Sequence, residues 1–476
     1  MASIPGVLYL DKTFSRYKNK LLYVCRPYNN SIPIYHIPYV KKDSFLKNYR
    51  NKYILFKPDC VFNSLNIGII TMVIGDVSSL QSYYTYNMHC DNVLHSIKKF
   101  NSVFIKKLKD NQDTLTDIHK NYGIIDMTAR SGIITIDPAN CKDMDDAIGI
   151  RDSDDETIID VYISNVSVIL DILDLWDNVS ERISTIYTPD KNINLLPGIM
   201  ASQICSLRSN ERKIVTCYSF VLDRSYNITD FYISCGCIIV SSNYSYDSKE
   251  LLQDRAYHKI RGIAHTMSNV QLPEDIVEHY MVLTNSYSAK KLKLYKDGIF
   301  RVTEKKSNSR NNILHWESYI GRYTLFNENL KHTALDTECY THITSPIRRL
   351  VDIINSALIQ KYCSIYSYKG SMETFVKKWM GRIDHINSQT YMIRRMQSSW
   401  KLLELISKNK NITTYGLVVD YNNTGKLTRY TIFLRDLKFT IYFHSSDTYI
   451  EGTSYIFDIS MYKEGETRKI RVSQNI

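Results

Sequence analysis

Four aspartates fall within ten positions of this chain, closed in by apolar runs on both sides. The segment reads Ile133-Ile-Thr-Ile-Asp-Pro-Ala-Asn-Cys-Lys-Asp-Met-Asp-Asp-Ala-Ile148, which places carboxylates at Asp137, Asp143, Asp145 and Asp146. A β-branched strand delivers Asp137, and Pro138 breaks it, because proline lacks the amide hydrogen a strand ladder needs. Lys142 is the one counter-charge inside the segment. Carboxylates this crowded repel one another unless protons or a cation hold them. A dense set of hard oxygen donors favours Mg²⁺ or Mn²⁺. The alternative for such a run is a solvated loop, and Asp152-Ser-Asp-Asp-Glu156 reads as one. Flanking apolar runs pull 137–146 towards a core instead. An EF-hand is excluded. Counting from Asp143, loop position 6 is Ile148, where glycine is required, and counting from Asp152 it is Thr157.

A second segment concentrates cations. Tyr340-Thr-His-Ile-Thr-Ser-Pro-Ile-Arg-Arg-Leu-Val-Asp-Ile-Ile-Asn-Ser-Ala-Leu-Ile-Gln360 opens with helix punctuation, Ser345 at the N-cap and Pro346 at the first helical position. Ile347, Leu350, Val351, Ile354 and Leu358 make an apolar stripe at helical spacing. Arg348 and Arg349 are then expected in the first turn, where the helix dipole disfavours cations unless an anion is held there. With exposed backbone N–H groups, two arginines suit a phosphate. The competing expectation is that Arg349 simply pairs with Asp352.

Composition bounds the rest. With 476 residues, two to four domains are expected, at roughly 100–200 residues each. The net charge is +11 and there are 37 tyrosines, which suits single-stranded nucleic acid, where cations track phosphates and rings stack on bases. AT-rich codons would produce the same bias in Tyr, Asn, Ile and Lys. No stretch reaches the roughly 18–20 apolar residues that span a bilayer, and no secretory signal is expected. The ten cysteines include no CxxC, so zinc ribbons are not expected; HExxH and GxxxxGK[ST] are missing too. Reduced thiols in an intracellular, cytoplasmic protein are the expectation.

Residues 1–125 read as strands, Lys52–Phe56 and Ile67–Ile74 among them, followed by one helix from His89 to Asp110. Residues 126–408 mix strands with helices near 249–270, 274–295, 346–362 and 373–408. Residues 409–476 return to about five short strands, as in a small OB barrel or a fragment of a β-sandwich.

The two charged segments, in this order, resemble the catalytic domain of the ribonuclease II/ribonuclease R (RNB) exoribonuclease superfamily. Its hallmarks are a strand ending TID, then KDxDDA, then YTHxTSPIRR, met here by Thr135-Ile-Asp137, Lys142-Asp-Met-Asp-Asp-Ala147 and Tyr340 to Arg349. Between them, Val161-Tyr-Ile-Ser-Asn-Val-Ser167 is similar to the family's VHIADVS, and Thr185-Ile-Tyr-Thr-Pro-Asp190 with Leu195-Leu-Pro197 and Ile204-Cys-Ser-Leu207 to its TSVYLPD, MLP and LCSL. Asp126-Met-Thr128 and Asn285 fit as well.

The resemblance implies an α+β chain with a central RNB catalytic domain flanked by small OB-fold β-barrels. The N-terminal barrel would be cold-shock-like, with a connecting helix. It implies metal-dependent hydrolysis of single-stranded RNA from the 3′ end to nucleoside 5′-monophosphates, with Mg²⁺ or Mn²⁺ as cofactor and RNA as partner; a monomer away from membranes is expected. By position, Asp137, Asp143, Asp145 and Asp146 resemble the metal-binding set, and Asp145 matches the carboxylate essential to the chemistry. Arg348, beside Arg349, matches the arginine on the phosphate at the scissile end. Tyr187 matches the aromatic that stacks on the terminal base; otherwise it is a core tyrosine in a turn. Lys290, Lys291, Lys293, Arg301, Lys305, Lys306, Arg394 and Arg395 are candidate channel cations, set against solvated faces.

The chain also departs from the pattern. Ser356-Ala357 replaces the family's His-Arg, Leu350 stands where an aromatic is common, and Asn165 replaces an aspartate. These motivate a second reading, a catalytically weakened RNB-fold protein that binds RNA without cutting it. DNA as substrate is a third.

Overall fold

In the computed structural model, the described residues are 3–41, 50–111, 123–152, 156–305, 319–409 and, apart from 424, 426, 435, 436, 438, 465 and 466, residues 411–474. Most of the acidic run 152–156, the cation Lys306, and parts of the turns near 422–425 and 464–465 lie outside them. The chain divides into two compact units. One comprises 1–94, 187–192 and 391–476; the other comprises 95–186 and 193–390.

The first unit opens with β1 (Ile4–Tyr17), β2 (Lys20–Pro27), β3 (Tyr35–Pro38), β4 (Lys52–Phe62) and β5 (Leu65–Asp76). They close a barrel in the order β1-β2-β3-β5-β4, with β4 pairing back on β1. Lys18-Asn19 and Asn63-Ser64 have positive φ at both positions, the backbone a two-residue hairpin turn needs to match strand twist. Leu8, Tyr23, Cys25, Ile37, Ile54 and Phe56 fill the interior.

Helix α1 (Leu80–Cys90) begins at Ser79, whose side chain accepts the Ser82 N–H. It ends where Asn92 turns left-handed, and α2 (Lys98–Asp110) starts afresh. The single helix expected from 89 to 110 is thus two, because the apolar period runs across a break the backbone makes at 91–97. Phe100 and Phe104 are buried as that period required.

The second unit is built on a seven-stranded sheet. Its strands are β6 (Ile125–Asp126), β7 (Ile134–Asp137), β8 (Asp146–Asp152), β9 (Thr157–Ser164), β12 (Arg212–Leu222), β13 (Ile228–Ile239) and β14 (Ser242–Ser245). Their order is β14-β7-β8-β9-β12-β13-β6. Between β9 and β12 come α3 (Val166–Ile172), the short pair β10 (Ile186–Tyr187) and β11 (Asn192–Ile193), and a π-type helical turn at Met200–Cys205. Next are α4 (Arg255–Ser268), α5 (Pro273–Leu294), the hairpin β15 (Ile299–Lys305) and β16 (Tyr319–Leu325), α6 (Leu350–Tyr362) and α7 (Gly370–Met380). Helix α6 is buried on all sides from Leu350 to Gln360, which explains its near-continuous apolar sequence.

Helix α8 (Ile383–Asn409) leads into β17 (Asn411–Asn423), β18 (Thr428–Leu434), β19 (Phe439–Ser445), β20 (Ser454–Glu464) and β21 (Thr467–Gln474). These five form an antiparallel sheet in the order β19-β18-β17-β20-β21, with β19 and β21 at its edges among the described residues. Leu402 and Ile406 of α8 pack with Val418, Ile432 and Phe457 of the sheet. Among the described residues no helix is long and apolar enough to cross a membrane.

Candidate active site

Strand register builds the acidic site. Strands β7 and β8 pair antiparallel at Ile134 and Ile148, so Asp137 ends one strand and Asp146 begins its neighbour at the same edge of the sheet. The loop between them is pinned at Met144, whose N–H donates to Ser206 Oγ at 3.1 Å and whose carbonyl accepts the Leu207 N–H at 3.0 Å.

Both strand-end carboxylates are held protonated to unusually high pH. Burial pushes Asp137 up to about 6, opposed by the Thr135 hydroxyl and the Cys141 thiol. Burial, then the charge of Asp137, pushes Asp146 up to about 7, against the pull of Arg348 and Arg349. Asp137 Oδ2 is buried with no hydrogen-bond partner among the described residues. Asp143, half-buried, receives the Cys141 thiol at 3.8 Å.

Asp145, just before β8, is engaged by the arginine turn. The Asp145 side chain is 4% exposed; its Oδ1 accepts the Ile347 N–H at 2.7 Å, and its Oδ2 lies 3.4 Å from Arg348 Nε. Burial raises this carboxyl well above its ordinary range, while Arg348 and the Ile347 N–H pull it down.

The arginines precede the helix rather than open it. Helix α6 starts at Leu350, and Pro346–Arg348 form a tight turn, with Arg348 and Arg349 N–H both donating to the Ser345 carbonyl. Ser345 is not the cap of α6, whose N-cap position is Arg349 without a side-chain cap bond; Asp352 Oδ1 accepts the Ser345 N–H at 2.7 Å and Arg349 Nη2 at 2.7 Å. Arg349 is therefore held on a fully buried carboxylate, the plainer of the two expectations, while Arg348 is half-exposed with Nη2 donating to Ser345 Oγ at 3.0 Å. An antiparallel bridge between Ser184 and Arg349 ties this turn to the 183–185 segment.

Buried amides fix the 340–347 segment from behind. Asn285 Oδ1 accepts the Ile343 N–H at 2.9 Å, and its Nδ2 donates to Tyr340 Oη at 3.0 Å. Asn355 joins Ile299 to Thr341 and the His342 carbonyl.

Tyr246 escaped sequence reasoning. Strand β14 runs parallel to β7 with Ser245 opposite Asp137, and the Tyr246 N–H donates to the Asp137 carbonyl at 3.1 Å. Burial and then the charges of Asp146 and Asp137 push its hydroxyl up to about 12. The only signal was the polar strand Ser242-Asn-Tyr-Ser245, which does not reveal its partner.

Tyr187 is half-buried on β10 and belongs to the unit that holds the barrel. Arg301 is buried with its guanidinium 4.9 Å from the Tyr323 ring, and Lys293 pairs with Glu338, so neither is a loose surface cation.

Among the described residues no three His, Cys, Asp or Glu side chains converge on one ion position. A pair nevertheless fits a hard cation of the magnesium kind, which binds one or two carboxylates, keeps several waters, and takes remaining oxygens from substrate phosphate. Asp137 and Asp146 supply such a pair, and the orphaned Oδ2 of Asp137 is an oxygen without its partner.

A closed barrel, a mixed sheet with carboxylates at two adjoining strand ends, and an arginine turn beside Asp145 make this an α+β chain. The RNB domain family model matches residues 126–271 and 311–365, and over those residues the chain is similar to the RNB domain of ribonuclease R and ribonuclease II. Ribonuclease R of Chlamydia muridarum is 24% identical over 329 residues, covering 51% of this chain and 47% of that protein. The chain spans about half or less of the length of the curated relatives it matches. Mycoplasma genitalium RNase R in complex with ribose-methylated single-stranded RNA has the same fold, with TM-score 0.72, 16% identity, and coverage of 99% of this chain and 89% of that one. Yeast Ssd1, described as a pseudonuclease, matches at TM-score 0.62 with 15% identity over 93% of this chain and 65% of that one.

Proposed function

We propose that the chain is a divalent-metal-dependent exoribonuclease that hydrolyses single-stranded RNA from the 3′ end, releasing nucleoside 5′-monophosphates. The observation that carries this reading is the strand-end pair Asp137 and Asp146, with its orphaned carboxylate oxygen, together with the Arg348–Asp145 ion pair.

Asp137 and Asp146 would hold Mg²⁺ or Mn²⁺, with Asp143 beside Asp137. Bound there, the ion supplies charge stabilisation at a phosphate and activation of water. The chain's own groups do the rest. Arg348, half-exposed and fixed by Ser345 and Asp145, presents a guanidinium to the scissile phosphate and offsets the negative charge that builds there. Asp145 keeps Arg348 and the Ile347 amide in register. Tyr187 is proposed to stack on the terminal base. Water adds to phosphorus and the bond to the preceding 3′ oxygen breaks; a nucleoside 5′-monophosphate leaves, and the shortened strand keeps a 3′-hydroxyl.

The test is a 5′-labelled single-stranded RNA with Mg²⁺, Mn²⁺ or EDTA, using wild type and Asp146→Asn. A ladder shortening from the 3′ end, dependent on metal and lost in the variant, supports the reading; metal-independent decay overturns it.

A second reading, RNA binding without hydrolysis, has its own observation: no three candidate ligands converge among the described residues. Retention of RNA with no shortening at any metal concentration would favour it.

A further inference from the structure

The second unit also holds a cavity of about 600 Å³, within the roughly 300–1,000 Å³ range of small-molecule sites. None of Asp137, Asp143, Asp145, Asp146 or Arg348 lines it. Its wall comes from the end of α2, from α3, from the 203–211 turn and from the start of β12.

Chemically the cavity has two halves. Lys109, Arg208, Arg212 and Lys213 bring four cations against one carboxylate, Glu211. Ile204 and Ile214, with Leu108, supply an apolar side. Lys213 is 4% exposed, and its ammonium is held by Glu211 at 2.7 Å and by the Gln203 carbonyl. Glu211 also lies 4.0 Å from Arg208. The single carboxylate is thus engaged twice, and among the described residues no carboxylate pairs with Lys109 or Arg212. A site with surplus positive charge beside an apolar wall suits a ligand with a phosphate at one end and a flat, weakly polar body at the other.

We propose that this cavity binds a nucleoside 5′-phosphate, with the phosphate between Lys109 and Arg212 and the base against Ile204 and Ile214. A free mononucleotide and the 5′-phosphorylated end of an RNA share that chemistry. The wall continues through Ser206 and Leu207 into the backbone bonds that pin Met144, so the site and the acid loop rest on one segment. The binding goes beyond the nuclease reading and requires no turnover.

Titration calorimetry of the full chain in EDTA separates the cases, with AMP, adenosine, inorganic phosphate and a 5′-phosphorylated hexanucleotide as probes. Lys109→Glu with Arg212→Glu changes exposed side chains and is compared with the charge reversal Lys99→Glu at another exposed position of α2, each variant checked by its melting temperature. The expected result is AMP binding that weakens at least about tenfold in the double variant and is unchanged in Lys99→Glu. Hexanucleotide binding with the same dependence, and no AMP binding, assigns the site to an RNA end. Binding of either probe that ignores the double variant overturns the proposal. Phosphate or adenosine alone binding as tightly as AMP overturns it as well, as does no binding of any probe at millimolar concentration.

Discussion

Arg348 Nε lies 3.4 Å from Asp145 Oδ2, and the Ile347 amide donates to the other oxygen of the same carboxylate at 2.7 Å. The two charged segments of the sequence therefore meet at Asp145, which orders the arginine turn. Asp145→Asn keeps a carbonyl oxygen for the Ile347 N–H and removes the charge that faces Arg348. Single-turnover RNA cleavage is expected to fall by about 10²–10³-fold, the scale of losing one fixed electrostatic contact in a site. RNA affinity in a gel-shift titration should stay within about twofold, and unchanged turnover would overturn the role.

Asn355 is fully buried and joins three backbone groups, at Ile299, His342 and the carbonyl side of Ile299, besides Thr341 Oγ1. Asn355→Ala strands several of these inside the protein, at a cost of about 1–3 kcal/mol for each unmet group that finds no water. A lower melting temperature is expected, with cleavage at permissive temperature reduced because the Thr341–Arg348 segment loosens. A melting temperature equal to wild type would show the amide to be dispensable.

Much of this site was legible in the sequence, and the reasons for the rest are specific. Asp137 could be placed at a strand end because the β-branched run and Pro138 mark the boundary, whereas Asp146 as the start of the next strand comes from the pairing of β8 with β7 and β9. That Asp145 engages Ile347 and Arg348 becomes visible only in the structure, because these partners lie about 200 residues away in the chain. Helix α6 starts four residues later than Ser345 and Pro346 signal, because Arg349 is held extended by its bridge to Ser184, a contact local capping rules do not weigh. Tyr246 depended on a parallel pairing between β14 and β7, more than 100 residues apart in the chain, which nothing in its own segment signals. The N-terminal barrel is expected from the resemblance; its β-rich runs at 52–56 and 67–74 are local signals, whereas its closure of β4 on β1 is a long-range pairing. The break at 91–97 was not legible, since Val93 is buried and keeps the helical period.

The raised carboxylates set a pH dependence. Asp137 at about 6 and Asp146 at about 7 stand above the ordinary aspartate value, so the fold holds these protons more tightly than the unfolded chain does. Their contribution to stability is fully present below about pH 4 and is lost as pH rises through 6 to 7. In EDTA the melting temperature should therefore decline between pH 5 and 8, apart from other titrations, and the decline should shrink in the Asp137→Asn/Asp146→Asn double variant. Added Mg²⁺ should raise the melting temperature more at pH 8 than at pH 5.5, because a cation binds the deprotonated pair. An Mg²⁺ effect independent of pH would separate the ion from these two residues.

The departures at Asn165 and Ser356 meet in one buried network. Asn165 Nδ2 donates to Gln360 Oε1 at 2.9 Å, and Gln360 Nε2 donates to Ser356 Oγ at 2.8 Å and Ser167 Oγ at 3.1 Å. Asn165 also caps α3 through the Val168 N–H, so the network ties α3 to α6. Gln360 is fully buried and supplies both a donor and an acceptor that no apolar residue can replace. Gln360→Leu should destabilise the second unit by about 2–4 kcal/mol, since it leaves several buried polar groups unpaired. Gln360→Glu puts a carboxylate against Ser356 and Ser167, which can donate to it, and against Asn165 Nδ2; its loss should be smaller near pH 5, where the carboxyl can protonate, than at pH 8. Denaturant unfolding of both variants at the two pH values reads this directly. Equal loss in both variants at both pH values would mean that α3 and α6 are held by packing alone.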